Sequence, residues 1–268
     1  MHRHPPSSGL GSNTSIQDAF NLAWKLAYAV KGWAGPGLLE SYSAERAPVG
    51  AQVVARANQS RLDYGPVNAA FRTQGQADPV AAGLARLRDP SPDGVTARKA
   101  LVEAIEYKNT EFNAQGTELN QRYQSSAVIP DPDSGEEVWQ RDRGLYLQAT
   151  TRPGAKLPHV WLVDAGGGQV STLDVTQKGK FSLVTGLSGQ AWTTAASKLS
   201  RPFLRTVVIG AKGTEDLYHD WHRARETDEA GALLVRPDGY VAWRHRAPVW
   251  DDEQAFHLLQ QALTAVLR

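Results

Sequence analysis

The chain of 268 residues contains no cysteine. That excludes disulfides, thiolate metal sites and thiol catalysis. It also lacks an excess of charge of either sign: 29 Lys and Arg against 28 Asp and Glu give a net charge of +1. Nucleic acid and anionic membrane surfaces are therefore not expected as partners. Its apolar runs fall well short of the about 18 residues that a membrane span requires. The segment from Pro5 to Ser15 is polar and Gly-rich where a secretory leader would be apolar. These absences are compatible with the cytoplasm. What is present, 41% hydrophobic and 21% charged residues, is ordinary for a soluble protein with a real core.

The order of elements divides the chain into three. Residues 1–13 read as a loop, followed by a helix over about 14–31. Thr14 and Gln17 have capping-box spacing and Gly32 supplies a stop. Ile16, Ala19, Phe20, Ala23, Ala27 and Val30 recur at helical spacing and predict its core face. A second helix is predicted over 38–62, kinked or broken at Pro48, and a loop-rich stretch over 63–95. A charged helix over about 95–125 follows, with Leu101, Ala104, Ile105 and Phe112 on one face and Gly116 as an interruption. The run 129–137, IPDPDSGEE, reads as a linker.

From about residue 140 the period changes. HVWLVD (159–164), FSLVTG (181–186) and FLRTVVIG (203–210) read as buried strands, and 188–200 and 215–226 as helices between them. A hairpin over 231–246 turns at Pro237-Asp238-Gly239, and a last helix spans about 251–267. The order βαβα, hairpin, α is that of a thioredoxin-like domain without CxxC, with its early strands parallel. The fold class is α/β, in three parts: 1–94, a helical connector and linker over 95–139, and 140–268.

The opening loop is where chemistry is expected. Gly9 and Gly11 let backbone approach a ligand, Pro5 and Pro6 stiffen the approach, and the following helix offers free N–H groups and a positive dipole end. A phosphate, a carboxylate or a reduced flavin would suit that end; a Gly-rich turn that merely caps a buried helix is the alternative. Elsewhere, His2 and His4 lack a clear third metal ligand, and Asp18 reads as a dipole partner rather than a base. Asp216, His219 and His222 read as a solvated polar face rather than a zinc site. The eight tryptophans read as core and interface.

The stretch HRHPPSSGLGSNTSIQDAFNLAWKLA (2–27) resembles the second flavin motif of the flavin-dependent aromatic hydroxylases, the phenol and chlorophenol monooxygenases. Pro5, Pro6, Gly9, Gly11, Asn13, Gln17, Asp18, Asn21, Leu22, Trp24 and Lys25 match as they stand. LLESYSAERAPVG (38–50), FNAQGTELNQRYQSSAV (112–128), RPGAKLPHVWL (152–162), STLD (171–174) and GALLVRPDGYVAWR (231–244) extend the likeness over nearly the whole chain.

The resemblance implies an FAD cofactor reduced by NADPH, a phenolic small-molecule substrate hydroxylated ortho to its oxygen with O2, and a homodimer. It implies that Gly11, Ser12 and Asn13 meet flavin N1 and the C2 carbonyl, with Pro5 and Pro6 near the reactive edge and Gly9 and Leu10 in the same loop. The family's Gly-Asp and its GxGxxG unit do not occur in these 268 residues. The chain is accordingly expected to be the C-terminal part of such an enzyme, from an internal start or a truncated or split gene, and inactive alone. A non-catalytic dimerisation or interaction module is the alternative.

Overall fold

The computed structural model describes residues 4–72, 74–176 and 179–268; His2 lies outside them. The N-terminal half is helical: α1 (Leu10–Val30), α2 (Gly37–Leu62), α3 (Gly65–Phe71), α4 (Pro79–Arg88), α5 (Pro92–Phe112) and α6 (Gln115–Leu119). Helix α2 runs through Pro48 without a break. The expected loop over 63–95 is replaced by α3 and α4. The prolines that suggested a loop, Pro66, Pro79 and Pro92, instead stand in the first turns of α3, α4 and α5. A proline there gives up only an N–H that has no intrahelical partner.

Among the described residues six strands follow: β1 (Trp161–Val163), β2 (Gln169–Ser171), β3 (Phe181–Thr185), β4 (Leu204–Val208), β5 (Ala232–Val235) and β6 (Val241–His245). With them come α7 (Thr172–Thr176), α8 (Gln190–Leu199), α9 (Asp220–Ala224) and α10 (Asp252–Val266). The main sheet has the order β4-β3-β5-β6. Strands β3 and β4 are parallel, and the other neighbours are antiparallel. The parallel pair and the hairpin are as expected. The first expected strand is not in this sheet: β1 pairs with β2, because the Gly166–Gly168 turn folds the chain straight back, and bridges to Glu215 at Val163. The helix expected over 215–226 shrinks to α9. His219 holds a left-handed φ of 58° before it, and the Asp216 carboxylate accepts from the N–H groups of Trp221 and His222.

Strand β3 is buried throughout, because the sheet is covered on both faces. Val184, Val207, Leu233 and Val235 pack with Leu162 and Trp221 on one face. On the other, Phe181, Leu183 and Leu234 pack with Trp192 of α8 and with Leu259 and Leu263 of α10. Trp24 and Tyr28 of α1 belong to this second cluster; the Trp24 and Phe181 rings meet edge-on at 5.6 Å. The core therefore does not divide at residue 140. Nor is 129–137 a loose tether, since Ile129 N–H donates to the Ala242 carbonyl at 2.8 Å and Asp131 pairs with Arg244 at 2.7 Å.

Candidate functional site

The opening loop ends in two successive left-handed residues, Ser8 (φ 64°) and Gly9 (φ 65°). They turn the chain into α1, which begins at Leu10, four residues earlier than the sequence predicts. Thr14 is therefore inside the helix, where its hydroxyl donates to the Leu10 carbonyl at 2.8 Å; it caps nothing. Gly9 is the N-cap, and no side-chain cap is present there among the described residues. No residue of the first turn is acidic; just before it, the Ser8 hydroxyl donates to Glu111 of α5 at 3.2 Å.

An open cleft of about 410 Å3 lies at this end, lined by His4, Pro5, Pro6, Gly9, Gly11, Ser12 and Ser15. Five of the seven expected cofactor-binding residues are thus brought together. Leu10 is not among them, being buried with Val49, Val53 and Tyr123. Asn13 is exposed outside the cleft lining. A Cβ on Gly9 would meet nothing within 4 Å, while one on Gly11 would stand 3.3 Å from His4 Cβ.

Behind the cleft, α1 is oriented by its polar side. The expected core face is the exposed one: Ile16, Phe20 and Val30 are 65%, 46% and 86% exposed, and Ala19, Ala23 and Ala27 are exposed with them. The buried side carries Asp18, Asn21, Trp24 and Lys25. Burying charge is tolerable when the charges pair and their hydrogen bonds are filled, and here they do. Arg46 of α2 donates to Asp18 at 2.7 Å, to Gln121 at 2.8 Å and to the Tyr123 hydroxyl at 2.9 Å. Asp18 is thus an ion-pair partner, not a dipole partner.

A second group joins α1 and α2 to the β5–β6 hairpin. Glu45 accepts from Lys25 at 2.8 Å and from both terminal nitrogens of Arg236 at 2.6 and 2.8 Å. Asp238, in the hairpin turn, accepts from Arg236 Nη2 at 2.6 Å and from Trp24 Nε1 at 3.1 Å. Asn21 bridges the two acids. Burial alone would raise the Glu45 carboxyl; Arg236 and Lys25 overcome this and hold it well below the usual carboxylate range. Burial, and then the Arg236 guanidinium, lower the Lys25 ammonium to about 8.

Gln17, Asp18, Asn21, Trp24 and Lys25 were recognisable in the opening motif, but their role here is to seat the helix. Their partners Glu45, Arg46, Arg236 and Asp238 escaped the reading by sequence. The available signal was the spacing of 18, 21 and 25 along one side of the helix. The other candidates do not assemble. The His219 and His222 rings are 6.2 Å apart, and Asp216 is engaged by backbone. Among the described residues no group of three His, Asp or Glu side chains is placed to hold a metal ion, and no helix is long and apolar enough to cross a membrane.

Residues 1–57 match the FAD binding domain family, and residues 150–267 match the aromatic-ring hydroxylase C-terminal family. With these two matches in one chain, and relatives at 47–49% identity, the chain belongs to the flavin-dependent aromatic monooxygenases. It is similar to 2,4-dichlorophenol 6-monooxygenase of Delftia acidovorans, with 49% identity over 91% of this chain and 42% of that protein. It is also similar to phenol 2-monooxygenase of Pseudomonas sp. (strain EST1001), with 47% identity over 95% of this chain and 43% of that one. Among solved structures it superposes on the flavin-dependent monooxygenase PieE in complex with FAD and substrate, with a TM-score of 0.88 and 42% identity, over 100% of this chain and 46% of that one. The chain spans less than half the length of these relatives.

Proposed function

We propose that this chain forms one wall of the flavin site of a phenol-type monooxygenase that uses NADPH and O2 to hydroxylate a phenol ortho to its oxygen. The observation that carries this reading is the uncapped N-terminus of α1 opening into the cleft of Pro5, Pro6, Gly9, Gly11 and Ser12. The residues fit FAD: Gly9 leaves open space, the first turn brings no carboxylate, and the donors there are backbone N–H groups. Gly11, Ser12 and Asn13 would hold the N1 and C2-carbonyl side, where negative charge develops on reduction, and Pro5 and Pro6 would face the reactive edge. FAD, when bound, supplies the redox chemistry that passes electrons from NADPH to oxygen. What the chain contributes is a preorganised dipole that favours the reduced form, and a floor of paired charges that fixes the helix carrying it.

One helix end contributes only about 0.3–1 kcal/mol in exposed settings, too little to hold a dinucleotide. The chain alone is therefore inactive, and the missing affinity comes from a complementary half. The exposed stripe from Ile16 to Val30 is the surface that such a half covers. The β4-β3-β5-β6 order, with one parallel pair and flanking α8 and α10, supports a thioredoxin-like topology for residues 140–268, whose core is shared with α1, and without cysteine this part does no dithiol chemistry. Its role is structural, within a cytoplasmic homodimer. The same exposed stripe also favours a second reading, the C-terminal half of a split enzyme.

The test is complementation. The chain is mixed with the N-terminal half of a phenol 2-monooxygenase, and NADPH oxidation is followed with FAD and phenol. Catechol formed by the mixture and by neither half supports the reading. A well-folded mixed complex that binds FAD but makes no hydroxylated product overturns it.

A further inference from the structure

Outside the flavin wall, a cavity of about 610 Å3 lies between the 134–152 segment and the β6 end of the hairpin. Its volume is that of a small-molecule site. The charges on its wall are unequal in a telling way. Both acids are already satisfied: Glu137 by Arg122 through two bonds of 2.8 and 2.9 Å, and Glu226 by Arg244 at 2.7 Å and by Thr150 at 2.7 Å. Arg244 is spent in turn, since its other edge holds Asp131 at 2.7 Å.

Three further arginines on the same wall make no direct ion pair among the described residues, although Arg152 is near enough to Glu137 to help lower its carboxyl. Arg152 donates only to the neutral carbonyls of Gly135 and Ser134, at 2.7 and 2.8 Å. Arg141 and Arg246 make no ion pair among the described residues. Arg141 lies over the Tyr146 ring, 3.3 Å from its centroid, so the guanidinium is held flat beside an aromatic face. Val138, Tyr146 and Leu147 line the same cavity and are exposed. Unpaired guanidinium groups call for an anion, preferably a planar carboxylate. The exposed apolar side chains next to them call for a hydrophobic body attached to it.

We infer that this cavity is a binding site for a small aromatic carboxylate, its ring against Tyr146, Leu147 and Val138 and its carboxylate on Arg141 and Arg246. The site is separate from the flavin wall and stands or falls independently of the reading given to that wall. Benzoate is the probe, titrated calorimetrically into the full 268-residue chain, with acetate and inorganic phosphate as comparisons. Saturable benzoate binding in about the millimolar range or tighter is expected, at least tenfold tighter than acetate or phosphate. Arg141→Ala with Arg246→Ala should weaken it at least tenfold and leave the melting temperature unchanged, since both side chains are exposed. Arg141→Lys, which keeps the charge and loses the flat stacking, should weaken it by less. Three results overturn the inference: no saturable binding, binding undiminished in the double variant, or benzoate bound no better than phosphate.

Discussion

Glu45→Ala is the sharpest perturbation of the charged floor beneath α1. The carboxylate accepts five hydrogen bonds, from Asn21, Lys25, Ser125 and twice from Arg236. Its removal leaves the buried Lys25 and Arg236 to share Asp238. Breaking a buried ion pair by deleting one partner costs about 3–5 kcal/mol, because the survivor stays charged and dry. Against a total stability of about 5–15 kcal/mol, that is a large fraction. Urea unfolding followed by circular dichroism should show the loss. Glu45→Gln keeps the shape and some hydrogen bonding but not the charge, so most of the loss should remain. The exposed Lys99–Glu103 pair, with side chains 78% and 65% accessible, is the control: Glu103→Ala should change stability by no more than about 0.5 kcal/mol. A Glu45→Ala loss below about 1 kcal/mol would refute the claim that the network carries the seating of α1.

Further outcomes follow from the same geometry. The Glu45 pKa is depressed in the folded chain, so its contribution is present above the ordinary carboxylate value of 4.5 and is lost as pH falls below it. Acid unfolding should accordingly shift in Glu45→Gln, read as the difference between the two pH–stability curves. Lys25 acts in the same sense at higher pH. Lowered to about 8 from 10.5, it binds fewer protons folded than unfolded, so its contribution rises between those pH values; Lys25→Met should remove that rise. Ile16→Ser with Phe20→Ser should leave the chain's own stability within about 0.5 kcal/mol per site, yet weaken association with a complementary half in a pull-down titration. Gly9→Ala meets open space but must hold a φ of 65°, and should lower stability by about 1–2 kcal/mol.

The sequence carried the later architecture well where the period was unambiguous. The β3 and β4 strands, the hairpin at Pro237-Asp238-Gly239 and α10 stand close to where alternation and turn residues place them. It failed on which side of α1 is covered. Apolar spacing identifies an amphipathic helix, but not the side that is buried when charges neutralise one another, and Glu45 and Arg236 are 191 residues apart. It failed also on the prolines of α3 to α5, which mark a loop or a helix start with equal ease. The turn that leads into α1 was legible because backbone geometry there depends on glycine and proline identities. Leu10 fell outside the site because α1 begins earlier than the Thr14 signal suggests, turning that side chain into the core.

The start of α1 is proposed to approach the flavin. The most direct measurement of this is the FAD affinity of the chain complemented with an N-terminal half, before and after Gly11→Val. A Cβ at this position already stands 3.3 Å from His4, and a branched side chain there intrudes on the cleft at a cost of about 1–3 kcal/mol. FAD affinity should therefore fall roughly tenfold or more, while Asp216→Ala and His222→Ala leave it unchanged. A Gly11→Val complex that melts lower but binds FAD as tightly as the parent would contradict the account.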